Sequence, residues 1–171
     1  MAKSFVFLKP DAPARNLIGE VIKRFEERGL RVTKLQMEMA DPETLNKHYP
    51  LTNREYILTL GHTEIEGKSE AELEEIYQKN YKIIKALQDY VMEGPIVKMI
   101  LESDGDDTVA LVREVVGKTD PSQSPQGSIR GDLGDDSFAK ADAENRAVKN
   151  LVHASGNDEE AQAEIKLWFP S

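Results

Sequence analysis

Short strand-like runs separated by segments of helical period most constrain what this chain can become. "SFVFLK" (4–9) is apolar at successive positions and rich in Phe and Val, so it reads as a strand buried on both faces, ended by Pro10. Leu17, Ile18, Val21, Ile22 and Phe25 then recur at helical spacing, and Gly29 stops that helix. "LRVTKLQMEM" (30–39) alternates at Leu35, Met37 and Met39, which predicts a strand with one face wet. Asp41 and Pro42 open a short helix as N-cap and first helical residue.

The pattern loosens from 50 to about 80, apart from an acidic helix-prone stretch that starts at a Ser69 cap. "YKIIKALQDYVMEG" (81–94) reads as an amphipathic helix closed by Gly94, "PIVKMILE" (95–102) as a strand, and "DTVALVREVVG" (107–117) as a helix ending in Gly117. A segment rich in Pro, Gly, Ser and Asp runs from 118 to about 141 and reads as a long loop. A short helical stretch, a strand "NLVHA" (150–154) and a closing helix "NDEEAQAEIKLWF" (157–169) complete the chain. The order β-α-β-α-α-β-α-loop-β-α predicts an α+β sandwich, with one mostly antiparallel sheet and helices on one face. Periodicity leaves the strand order open.

Bulk properties narrow the function. The formal charge of −9 opposes nonspecific binding to nucleic acid or to an anionic membrane, yet leaves room for a local cationic pocket. The absence of cysteine excludes disulfides, thiol chemistry and Cys-based metal sites. No apolar run approaches the roughly 20 residues of a membrane helix, and the start "MAKSFVFLKPD" lacks the layout of a signal peptide. A cytoplasmic protein is the expectation.

His153 lies between a strand and a helix start, where Asn157 and Glu160 form a capping pair. Free N–H groups at a helix start favour an anion. An imidazole there can act as a nucleophile if another group holds its far nitrogen, and Glu164 is a candidate holder. Lys9 ends the first strand, Arg113 and Thr119 stand in "REVVGKTDP", Arg130 in "GSIRGD" is expected on a sharply turning loop, and Tyr49 follows His48. Point charge, guanidinium forks and hydroxyl donors together suit phosphate oxygens.

"FLKPD", "LIGEVIKRFEERGL", "HY", "GPIVKMILE", "VREVVGKTDP", "GSIRGD", "NLVHAS" and "EIKLWF" stand in the order and spacing of nucleoside diphosphate kinases, and the chain resembles that family over roughly two thirds of its length. The resemblance implies a ferredoxin-like βαββαβ sandwich, with an antiparallel sheet and helices on its faces. It also implies ping-pong transfer of a γ-phosphate, from ATP, GTP or another nucleoside triphosphate to a nucleoside diphosphate, through a phosphohistidine. His153 would be the nucleophile and Glu164 its ring-orienting partner. Lys9, Tyr49, Arg113, Thr119, Arg130 and Asn150 would contact phosphate and ribose. Ser155 falls where the family keeps a serine near the histidine. Mg2+ would arrive on the nucleotide phosphates. A homo-oligomer is implied, in keeping with the aromatic end "LWFP", and neither membrane nor nucleic acid is expected as a partner.

The chain departs from the family pattern at particular places. Extra residues stand at about 50–80 and, as "GDDSFAKADAENRAVK", at 134–149; they read as solvated surface helix, or as a nucleotide lid or subunit contact. Gly156 occupies a position that is often acidic. The family's base-stacking phenylalanine falls on Ile83, which predicts loose hold on the base unless Tyr81, Tyr56 or Tyr77 supplies a ring.

Overall fold

The computed structural model describes residues 2–105 and 107–170; Met1, Asp106 and Ser171 lie outside the described residues. Four strands form one sheet: β1 (Lys3–Leu8), β2 (Arg31–Glu38), β3 (Ile96–Glu102) and β4 (Val152–Ala154), in the order β2-β3-β1-β4, every neighbouring pair antiparallel. This is the sheet of a ferredoxin-like α+β fold.

Alternation along β1 explains why the sheet has two covered faces. Val6 and Leu8 point into one apolar cluster, with Val21 and Phe25 of α2 (Ile18–Glu27) and Val112 and Val115 of α6 (Thr108–Val116). Phe5 and Phe7 point into another, with Leu45 of α3 (Pro42–His48), Ile57 of α4 (Arg54–Leu58), Ile84 and Val91 of α5 (Glu70–Val91), and Trp168 of α9 (Asp158–Trp168). Phe5 to Leu8 are all fully buried. Helices therefore cover both faces, not the one face that element order alone suggested. The reason is β1 itself, whose unbroken apolar run leaves no side for water.

Local signals set most element ends. A Schellman pattern ends α2: Leu30 N–H donates to Phe25 O, Gly29 N–H donates to Glu26 O, and Gly29 takes φ 77°. Ser69 and Glu72 form a reciprocal capping box at the start of α5. Asn157 Oδ1 accepts the Glu160 N–H at the start of α9.

Other elements differ from the pattern-based expectation. The acidic stretch after Ser69 and the amphipathic segment from 81 form the single helix α5, because no glycine or proline interrupts them; it ends at Val91 with Met92 as C-cap, short of the Gly94 expected to close it. The expected loop 118–141 holds a 3-10 turn (Pro121–Gln123) and the short helices α7 (Ile129–Leu133) and α8 (Phe138–Ala143), whose Ser128 and Ser137 caps each accept a backbone N–H. α1 (Asp11–Ala14) is one further turn after β1. Along the edge strand β2 and just past its end the alternating residues are open: Leu35, Met37 and Met39 are 47%, 52% and 57% exposed. Leu35 and Met37 pair with Met99 and Val97 on the face of the first cluster, but are left uncovered at its rim. Conversely, the aromatic end needs no partner chain to cover it. Trp168 stacks on Phe5 at 5.8 Å between ring centroids, and both Trp168 and Phe169 are buried. Among the described residues no helix is long and apolar enough to cross a membrane.

Candidate active site

The site forms where β1 and β4 lie side by side. Phe7 pairs with His153 across the strands and stacks under its ring at 4.8 Å. Lys9 follows β1 and donates its backbone N–H to Leu151 O. Leu151, just before β4, takes φ 68°, a conformation costly for a branched residue. It is held there by burial and by Asp11 Oδ2, which accepts its N–H at 3.1 Å. The backbone strain thus sits two residues from the imidazole.

Geometry fixes the tautomer of His153. Nε2 lies 2.9 Å from Glu164 Oε1. An ionised carboxylate only accepts, so the ring proton sits on Nε2 and the Nδ1 lone pair is left available. Nδ1 is 3.3 Å from the Tyr49 hydroxyl, which can donate to it. The other Glu164 oxygen accepts a short hydrogen bond from Ser155 Oγ. Ser155 is fully buried, so it acts on Glu164 and not on the cleft. Burial holds the His153 pKa down to about 3, with Lys9 and Arg130 adding repulsion, so the ring is neutral at physiological pH.

His48 completes this cluster and was not singled out from the sequence, although it stands beside Tyr49 in "HY". Its Nδ1 accepts the Trp168 indole N–H at 3.1 Å, and its ring meets that of His153 edge-on at 4.5 Å. Burial and the neighbouring His153 keep it neutral, with a pKa of about 3. His48, His153 and Glu164 offer ligand atoms within 4.8 Å of one another. His48 Nδ1, His153 Nε2 and Glu164 Oε1 already serve the Trp168–His48 and His153–Glu164 hydrogen bonds, which makes the cluster an orienting network more than a metal cage.

Above Nδ1 opens a cleft of about 700 Å3, lined by Lys9, Tyr49, Arg113, Thr119 and Arg130 at its polar end and by Ile83 and Leu87 of α5 elsewhere. Lys9 Nζ donates to Asn150 Oδ1 at 2.7 Å, and Asn150 Nδ2 donates to Thr119 O at 2.8 Å. Asn150 therefore braces the cation against the 119 turn. Burial and the Arg130 charge lower the Lys9 pKa to about 7, against the opposing pull of Asp11. Arg113 and Thr119 are exposed on the cleft wall.

Arg130 is placed differently from the loop residue expected. It lies on α7, nearly buried, and donates to the carbonyl oxygens of Asn150, Gly117 and Val152. Burial lowers its pKa to about 10, so it stays charged. Gly131 serves close packing here: a Cβ would lie 2.1 Å from Pro125 O. The start of α9 also faces elsewhere. Gly156, Asn157 and Asp158 line a separate depression with Asp107 and Arg113, and the first turn of α9 is acidic, so it offers the cleft no anion site.

Ile83 does line the cleft, 40% exposed. Tyr56, Tyr77 and Tyr81 do not; they pack against the cluster around Phe5 and Phe7. Besides Tyr49, an aromatic side chain that does line the cleft is Phe138 of α8, which no periodic signal marked.

A family model described as nucleoside diphosphate kinase matches residues 2–171. The nucleoside diphosphate kinase of Pyrobaculum aerophilum is 39% identical over 175 residues, covering 98% of this chain and 94% of its own. That of Saccharolobus solfataricus is 36% identical over 167 residues, covering 98% and 94%. The crystal structure of an NDP kinase from Pyrobaculum aerophilum superposes with a TM-score of 0.83 at 36% identity, covering 99% of this chain and 96% of that one. A nucleoside diphosphate kinase from Borrelia burgdorferi, a transition state mimic with bound vanadate and ADP, gives a TM-score of 0.79 at 28% identity over 99% of this chain and 87% of that one. With its motifs, its sheet order and these relatives in agreement, the chain belongs to the nucleoside diphosphate kinase family.

Proposed function

We propose that His153 carries the phosphoryl group in a ping-pong exchange between nucleoside tri- and diphosphates. The observation that carries this reading is the His153 Nε2–Glu164 bond at 2.9 Å, which leaves Nδ1 unprotonated at the floor of a cationic cleft. In the first half-reaction the Nδ1 lone pair attacks the γ-phosphorus of the triphosphate. The bond from that phosphorus to the β,γ-bridging oxygen breaks, and the diphosphate leaves. In the second, a terminal oxygen of another diphosphate attacks the phosphorus and the P–N bond breaks. The imidazole gains positive charge on phosphorylation, and the Glu164 carboxylate is positioned to stabilise it through Nε2–H.

Phosphoryl transfer asks a protein mainly for positioning and charge. Lys9, Arg113 and Thr119 are the phosphate holders in this reading. Arg130 adds fixed positive charge from behind the 117–119 turn, Asn150 positions Lys9, and the Tyr49 hydroxyl is free to turn from Nδ1 to a phosphoryl oxygen. Mg2+ suits oxygen ligands from substrate phosphates, water and few carboxylates. Glu164 is already engaged by His153 and Ser155. The donor set therefore fits an ion that enters as part of the magnesium–nucleotide substrate, not one caged by side chains. A homo-oligomer is proposed on the open apolar stripe Leu35, Met37 and Met39, along an edge strand that offers unpaired backbone groups. A cytoplasmic site of action goes with substrates that are free nucleotides.

The test is incubation with γ-labelled ATP followed by a GDP chase. Acid-labile label should appear on the wild-type chain and pass to GDP, and His153→Ala should lose both. Exchange that persists in that variant sinks the mechanism.

A further inference from the structure

The cleft runs from His153 to walls formed by α5 and α8. Ile83 and Leu87 from α5 and Phe138 and Ala141 from α8 give it apolar surface there, beside the charged Lys79, Asp142 and Arg146. A groove continues outward between the same helices, with Ile83 and Gln78 on one side and Asp142 and Arg146 on the other, so α5 and α8 face each other across the opening. Phe138 is 44% exposed and lines the cleft, so its ring is presented to this space.

The helix that carries it is not a loosely solvated addition. Asp136 is buried and accepts both terminal nitrogens of Arg146, at 2.5 and 2.9 Å, and its Oδ2 also accepts the Lys149 N–H at 2.8 Å. This clasp ties the two ends of the 134–149 segment together just before Asn150. Asp120 Oδ2 accepts the Phe138 N–H at 3.4 Å, fastening the start of α8 to the turn that follows Thr119. The ring is therefore held in register with the phosphate-holding turn.

We propose that Phe138 is the stacking platform for the nucleotide base, presented from the wall across from Ile83, and that residues 134–149 form part of the nucleotide site. The inference rests on the kinase reading above. An aromatic ring takes one face of the base, and Ile83 with Leu87 gives apolar contact to the other. Stacking against a ring is tolerant of base identity, because every base has a π face.

Calorimetry of Phe138→Ala against two ligands tests this. ADP carries the base; ribose 5-diphosphate is the same anion without it. Loss of the ring should weaken ADP about tenfold, in the range that single base–aromatic contacts contribute, and leave ribose 5-diphosphate unchanged. Phe138→Trp keeps a platform and adds a reporter: the emission of the introduced indole should be quenched by ADP and not by ribose 5-diphosphate. Wild-type affinity for ADP in Phe138→Ala, an equal loss for both ligands, or indole emission in Phe138→Trp indifferent to ADP would each overturn the proposal. The kinase reading is tested apart from it, by labelling of the wild-type chain. A chain that labels normally while Phe138→Ala binds ADP unaltered overturns this inference alone.

Discussion

Glu164 Oε1 sits 2.9 Å from His153 Nε2, and that single contact decides which ring nitrogen faces the cleft. Burial raises the Glu164 pKa, while His48 and the Ser155 hydroxyl pull it back down. Ser155 thus helps keep the carboxylate in the form that can accept from the imidazole.

Glu164→Gln is therefore expected to lower kcat and leave KM nearly unchanged. Its effect should be roughly tenfold to a hundredfold, since hydrogen bonds to charged groups contribute about 1.5–3 kcal/mol. The interaction strengthens as the ring becomes cationic, so it belongs mainly to the transition state. Steady-state kinetics with saturating donor will check it, and an unaltered kcat would remove Glu164 from the mechanism.

The pH dependence should follow Lys9 more than His153. A histidine with a pKa near 3 stays neutral through the range where an ordinary imidazole titrates, so no loss of phosphorylation is expected between pH 7 and about 5.5 from that ring. Lys9, lowered to about 7, is partly uncharged in the free protein at neutral pH. An arriving phosphate favours its charged form, so ADP binding should take up a proton near pH 8. Affinity should fall as pH rises above 7. Calorimetry in buffers of differing ionisation enthalpy reads that uptake, and zero uptake at pH 8 contradicts the assignment.

The Asp136–Arg146 clasp should matter asymmetrically. Arg146→Ala leaves a buried carboxylate with backbone N–H partners, Lys149 and Ser137, in place of its counter-charge, whereas Asp136→Ala leaves a partly exposed guanidinium that still meets Glu144. Removing one partner of a buried pair costs about 3 kcal/mol or more. Arg146→Ala should approach that figure in urea denaturation and Asp136→Ala should fall below it. Equal and small losses would show that the clasp does not hold the segment.

Light scattering at micromolar concentration should find an oligomer, and Met37→Glu should dissociate it by placing a charge within the open β2 stripe. A monomeric wild-type chain would refute the proposed assembly. A Met37→Glu chain of wild-type size would move the interface off β2.

Features carried by a few adjacent residues were legible in the sequence. β1 as a two-sided strand, the Gly29 stop and the Ser69 and Asn157 caps follow from local pattern, because backbone propensity and capping act within a turn or two; that Lys9, Tyr49 and His153 share one site was implied only by the family resemblance. Tertiary packing decided what periodicity could not reach. It set helices against both faces of the sheet and left Leu35, Met37 and Met39 uncovered at its edge. It turned Arg130 onto carbonyls of the 117 and 150–152 backbone, and it aimed Phe138 into the cleft while Tyr56, Tyr77 and Tyr81 went against the core. The physical reason is that burial and side-chain direction depend on which distant segments meet, a property held by no single stretch of chain.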